Sequence, residues 1–121
     1  GEQTRDFTYV SDIVEALIKS EESSCIGGVY NVGSGATVSV NRIVELLEGE
    51  SVHIPKRPGE PDCTFADITK IRSELGWNPK VSIEEGVPKL LEQIDYWREA
   101  PVWDADSIAE ATTDWFRYLD K

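Results

Sequence analysis

A run of strand-favouring residues, Val29-Tyr30-Asn31-Val32, breaks into Gly33-Ser34-Gly35 and leads to Ser39, after which Val40, Ile43, Val44 and Leu47 recur at helical spacing. A strand that turns on glycine into an amphipathic helix admits few architectures, because the apolar sides of both must face one core. The class this predicts is α/β: short strands flanked by helices. A helix entry rich in small residues can also bind phosphate through free backbone N–H groups. The turn offers only G-x-G, however, without the third glycine of a dinucleotide fingerprint, so a tight structural turn is the competing reading. Asn31, just before it, is expected to brace the loop by hydrogen bonding.

The alternation continues on both sides. Gln3 to Val10 mixes polar residues with Phe7, Tyr9 and Val10 as a short strand does, and Ser11 and Asp12 then suit the start of a helix. Ile13, Val14, Ala16, Leu17 and Ile18 give that helix a wide apolar face in need of a partner. Downstream of Gly49, Ser51-Val52-His53-Ile54 reads as another strand, with His53 pointing away from its neighbours as a partly exposed structural histidine rather than a base. Asp67 can cap a short helix carrying Ile68, Ile71 and Leu75 that Gly76 stops, and Trp77 is expected to anchor the extended link that follows. Ser82 to Glu85 fits a capping box opening a long helix with Ile83, Val87, Leu90, Leu91, Ile94 and Trp97 on one stripe. Ala100-Pro101 breaks it, and Asp106 or Ser107 starts a last helix sharing Ile108, Thr112, Trp115, Phe116 and Leu119 on one face. Residues 1–121 are expected to form one small domain.

The stretch with most chemistry is Lys56-Arg57-Pro58-Gly59-Glu60-Pro61-Asp62. Two prolines and a glycine make the turn rigid and hold Arg57 and Glu60 in a fixed relation. A guanidinium grips phosphate through parallel hydrogen bonds, and a carboxylate three residues on can accept from sugar hydroxyls, which together suit a nucleotide. The competing reading is a solvated loop. Composition narrows the ligand: a net charge of −11 repels nucleic acid and anionic membranes, leaving a small anion that Arg5, Lys56 and Arg57 could hold. Cys25 and Cys63 form no CxxC pair and no metal cluster with His53, as expected of free thiols in the cytoplasm. The absence of methionine and the opening at Gly1-Glu2-Gln3 lead us to expect a fragment or processed product.

These features resemble, in order, the C-terminal part of extended short-chain dehydrogenase/reductases that act on nucleotide sugars: epimerases, 4,6-dehydratases and decarboxylases. The motifs that carry the resemblance are Gly1-Glu2-Gln3-Thr4-Arg5-Asp6-Phe7-Thr8-Tyr9-Val10-Ser11-Asp12, Tyr30-Asn31-Val32-Gly33-Ser34-Gly35, Arg57-Pro58-Gly59-Glu60, Ala66-Asp67-Ile68-Thr69-Lys70 and Leu75-Gly76-Trp77-Asn78-Pro79. It covers about Gly1 to Leu91 and fades beyond.

The resemblance implies that Arg5 and Arg57 contact a diphosphate and that Glu60, where the family more often has Asp, meets the ribose hydroxyls. Gln3, Thr4 and Thr64 are expected to line the same pocket, while Asp6 and Asp12 brace Arg5 and the helix start. The family's NAD lies in an N-terminal Rossmann domain that also supplies a Tyr-x-x-x-Lys pair. None of Tyr9, Tyr30, Tyr96 and Tyr118 has lysine four residues on, so this chain alone is expected to bind no NAD, to hold no catalytic residue and to be inactive. Its expected partners are a UDP-, dTDP- or CDP-linked sugar and the Rossmann domain, which residues 1–20 would complete. A homodimer is a further expectation, and residues 100–121 would form an extra C-terminal helix. The alternative is a non-catalytic interaction module using the faces of Ile13, Leu17 and Trp115.

Overall fold

Trp77, the bulkiest side chain between two helices, is fully buried, and its neighbours define the core: Ala16, Ile68 and Ile71, with Tyr30, Val32, Ala66 and Leu75 packed around them. The computed structural model describes residues 1–119. The chain runs β1 (Thr4–Arg5), α1 (Val10–Glu22), β2 (Val38–Ser39), α2 (Val40–Leu47), α3 (Thr69–Leu75), α4 (Ile83–Leu91), a 3₁₀ turn (Ile94–Trp97), α5 (Ala105–Ala111) and α6 (Thr113–Leu119). Among the described residues it is a mixed α/β arrangement of six helices and one two-stranded sheet.

A single carboxylate ties the first helix to the link before α4. Asp12, 1% exposed, accepts from the backbone N–H groups of Lys80 and Val81, each at 3.0 Å, while its carbonyl accepts from the Trp77 indole at 3.1 Å. A buried carboxylate persists only with such donors, because stripping its hydration otherwise costs several kcal/mol, on the order of a buried ion's penalty. Asp12 therefore braces more than the helix start. The helix itself begins at Val10, one residue before the expected cap, and no side chain caps it.

Strand pairing is confined, among the described residues, to short pieces. β1 and β2 run antiparallel with Thr4 opposite Ser39 and Arg5 opposite Val38, and Thr4 also forms a parallel bridge to Cys63. Val29–Val32 and Ser51–Ile54, expected as strands, are irregular segments. Their composition favours a strand only where a neighbouring chain supplies a hydrogen-bond ladder, and neither has one here.

The helices keep their expected caps more faithfully than their expected lengths. Ser39 accepts from the Arg42 N–H, the Ser82–Glu85 capping box is complete, and Gly76 ends α3 at a φ of +61°. The long helix expected through Trp97 instead ends at Leu91 and tightens into the 3₁₀ turn. Past Gly86 and Val87 its apolar stripe lies exposed, so no packing sustains propagation there. The expected last helix starts earlier, at an Asp104 cap with Ser107 as its reciprocal partner, and divides at Thr112. There the Thr112 hydroxyl donates to the Ile108 carbonyl at 2.8 Å, a back-bond that bends helices. Asp120 and Lys121, the end of that expected segment, lie outside the described residues.

Candidate functional site

The turn that presents Arg57 is set by its own sequence. Pro58 is followed by Gly59 at a φ of +74°, the residue order of a type II turn, and the Glu60 N–H closes it on the Arg57 carbonyl at 3.3 Å. That geometry brings the Arg57 fork onto Glu60: Nε donates to Oε2 and Nη2 to Oε1, both at 3.0 Å. Arg5 reaches the same carboxylate, its Nη2 donating to Oε1 at 3.2 Å, while its Nη1 donates to the Thr4 carbonyl at 2.8 Å.

Backbone pairing delivers Arg5 to this place. The Thr4 N–H donates to the Asp62 carbonyl at 2.9 Å and the Thr64 N–H to the Thr4 carbonyl at 3.1 Å, so β1 is stitched to the segment just after the turn. Thr4 and Thr64 thus contribute through their backbones. Thr64 borders a shallow depression with Asp6, Tyr30 and Asn31, apart from the cleft beside Arg57.

That cleft measures about 450 Å³ and is walled by Gln3, His53, Arg57 and Glu60 over an apolar floor that includes Val40 and Val44 of α2. Arg5 is not among its walls and joins the site through Glu60. Hydrogen bonds from Arg57, reinforced by both guanidinium charges, hold the Glu60 carboxyl below its ordinary range, and Glu60 in turn raises Arg57. Side chains here are about a quarter to a third exposed, 22% for Arg5 and Glu60 and 35% for Arg57, so the charges remain open to a ligand. Lys56 pairs with Asp62 instead, which cancels its charge locally.

Spare valences decide what more the cluster can hold. A carboxylate offers about four acceptor positions, and three are taken, leaving room on Oε2 for a hydroxyl. Arg57 has committed two of its five N–H groups to Glu60. Two cations about one anion leave a net positive charge within an acidic chain, a setting suited to a phosphate.

One member of this cluster was not linked to it by the sequence. Trp115 of α6 donates its indole N–H to the Pro58 carbonyl at 2.8 Å, and its ring lies 5.4 Å from the Arg57 guanidinium carbon. Helical periodicity marked Trp115 only as one residue of an apolar face, and nothing in its spacing linked it to a turn so distant in the chain.

The glycine turn is built differently from a phosphate loop. Asp6 accepts from the Ser34 N–H at 2.6 Å and from the Ala66 N–H at 3.2 Å, so its carboxylate occupies the place an anion would take. Asp6 therefore braces Gly33-Ser34 and Ala66, not Arg5 as expected. A Cβ at Gly33 would collide with Asp6 Oδ2 and with the Ala66 Cβ, which explains the glycine by close approach.

Fold and motifs agree with what comparison finds. The profile of the GDP-mannose 4,6 dehydratase family matches residues 1–90, and the chain belongs to that family of extended short-chain dehydrogenase/reductases. It is 34% identical over 118 residues to UDP-glucuronic acid decarboxylase 2 of Arabidopsis thaliana, covering 93% of this chain and 26% of the plant protein. Among solved structures, UDP-glucose 4-epimerase of Thermotoga maritima with UDP-glucose has a TM-score of 0.73 at 36% identity, covering 82% of this chain and 34% of that one. UDP-glucuronic acid 4-epimerase of Bacillus cereus, solved with UDP-glucuronic acid and NAD, has a TM-score of 0.71 at 35% identity, covering 79% and 33%. The chain thus spans about a quarter to a third of the length of these relatives. The residues of its glycine turn do not fit NAD, since a pyrophosphate there would face the Asp6 carboxylate.

Proposed function

We propose that this chain binds the nucleotide diphosphate of a UDP-, dTDP- or CDP-linked sugar on behalf of an NAD-dependent epimerase, dehydratase or decarboxylase. The observation that carries the reading is the convergence of Arg5 and Arg57 on one carboxylate at the edge of the 450 Å³ cleft. In this reading Arg5 and Arg57 take the diphosphate and Glu60 holds both arginines while offering its spare acceptor to a ribose hydroxyl. Gln3 lines the same cleft, and Thr4 and Thr64 hold the backbone that brings Arg5 into register. Binding energy from the nucleotide orients the reacting sugar, whose oxidation and reduction NAD supplies when bound to a Rossmann domain. Residues 1–20 would pack along that domain. Without its Tyr and Lys the chain alone is inactive. Exposed Cys25 and Cys63 suit a cytoplasmic setting, where thiols stay reduced.

The test is an NMR titration with UDP, dTDP, CDP and GDP. Arg57→Ala is expected to weaken the bound nucleotide by about 1.5–3 kcal/mol, roughly 10- to 150-fold, the range for hydrogen bonds to charged groups. Unchanged affinity would remove Arg57 from the site. A second reading, an interaction module, draws on α1, where Val10, Val14, Leu17 and Ile18 form an exposed apolar stripe. Ile13, assigned to that face from sequence, is half-buried, and Val10 and Val14 take its place.

A further inference from the structure

We infer that Trp115 is a positioning residue for the diphosphate: α6 sets its indole against Arg57 and so restricts the direction in which the guanidinium presents its free edge. The inference rests on the proposed nucleotide-binding reading and adds to it a residue outside the 1–90 segment that the family profile matches.

A guanidinium is a flat plate with two faces and two forked edges, and binding phosphate in a bidentate manner requires an edge, in plane. In Arg57 the Nε–Nη2 edge is spent on Glu60, with both bonds at 3.0 Å. The Arg57 guanidinium carbon lies over the Trp115 ring, 5.4 Å from its centroid, within cation–π reach. The Nη1–Nη2 edge is left, with three N–H groups that make no hydrogen bond among the described residues. Glu60 alone, gripping one edge, would still let the plate tilt about its two hydrogen bonds. A ring held against the group restricts that tilt, and the indole N–H, donating to the Pro58 carbonyl at 2.8 Å, fastens the ring to the same rigid turn that carries Arg57. Carboxylate and indole together therefore restrain the guanidinium, and a preorganised group spares the ligand the entropy of ordering it.

The attachment is specific rather than part of a core. Most side chains of α5 and α6 are exposed, Trp115 itself is 43% exposed, and Trp103 and Leu119 are more so. Removing the indole consequently leaves the Trp77 core untouched, so an effect on binding can be separated from loss of fold.

Three measurements on the full chain test the inference. UDP affinity is expected to fall about three- to tenfold in Trp115→Ala, the cost of ordering one freed side chain on binding, and by less in Trp115→Phe, which keeps a ring beside the guanidinium but loses the tether to Pro58. In an Arg57→Lys background, which has no plate to orient, Trp115→Ala is expected to add nothing. The Trp115 indole N–H resonance, assigned by its disappearance in Trp115→Phe, is expected to shift on saturation with UDP; this readout on the native chain holds even if Trp115→Ala proves poorly folded. Wild-type binding with unchanged affinity in Trp115→Ala, or an indole resonance that does not move, overturns the inference alone. Absence of UDP binding by the wild-type chain overturns the nucleotide reading, and the inference falls with it.

Discussion

Replacing Asp12 should reveal how much of the fold hangs on one carboxylate. Asp12 Oδ2 receives two backbone N–H groups at 3.0 Å in a site where the residue is 1% exposed. Hydrogen bonds to a charged acceptor contribute about 1.5–3 kcal/mol each and neutral ones about 0.5–1.5. Asp12→Asn keeps an acceptor oxygen of the same shape but loses the charge, so it should cost about 2–3 kcal/mol over the two bonds. Asp12→Ala abandons the Lys80 and Val81 donors altogether and opens a small void, which raises the cost to about 3–6 kcal/mol. Against a total stability of about 5–15 kcal/mol, either loss is large. Urea denaturation at pH 7 measures it: with a slope on the order of 1.5 kcal/mol/M, the midpoint should drop by about 1.3–2 M for Asn and by about 2–4 M for Ala. The Trp77 indole still reaches the Asp12 backbone carbonyl in both variants, so its burial should report whether the core survives. Losses below about 1 kcal/mol in both variants, or an Asn variant as unstable as Ala, would refute the reasoning, because the first denies the two bonds their value and the second denies the role of the acceptor.

Acid should loosen the candidate site in a defined window. The Glu60 carboxyl, lowered from its ordinary 4.5 by hydrogen bonds from Arg57, contributes stability that is fully present above that value and is lost as pH falls through the depressed one. Glu60→Gln should therefore flatten the acid limb of the stability curve between those two points, and an identical limb in wild type and variant, followed by chemical denaturation, would count against the pairing. The α1 stripe of Val10, Val14, Leu17 and Ile18 should make the chain self-associate, and Leu17→Glu should abolish this. Sedimentation velocity checks it; a wild-type chain that stays monomeric up to about 100 μM sinks the expectation, since weak apolar association is visible at that concentration.

Local chemistry was legible in the sequence wherever a residue acts on its near neighbours. The Ser39 cap, the Ser82–Glu85 box, the stop at Gly76 and the Arg57–Glu60 relation across the Pro-Gly turn all depend on spacings of a few residues. What was not legible depends on partners far along the chain. The strand character of Val29–Val32 needed a ladder that the described residues do not provide, and the stripe beyond Val87 needed a surface to pack on. Asp12 was readable as a helix-start residue, yet its donors stand at Lys80 and Val81. Trp115 is the sharpest case: it meets the Pro58 carbonyl through a contact that no periodicity encodes.

Two stretches competed in the sequence as anion sites, and what already occupies each separates them. At Gly33-Ser34 the free backbone donor that recommends a glycine turn is answered by Asp6, so an incoming phosphate would displace one anion and confront it at contact distance. At Arg57 the internal anion is outnumbered: Glu60 shares three hydrogen bonds between two guanidinium groups and neutralises only one of them. Glu60 then has two effects on a ligand. It repels an anion through its charge, weakly in a solvated site, and it fixes both arginines, each of which would otherwise lose about 2 kcal/mol of rotamer entropy on binding. The second effect would be the larger as long as the carboxylate holds both cations at once. In the proposed reading, an acidic residue beside the diphosphate would therefore favour affinity, because it orders the two cations that would bind it.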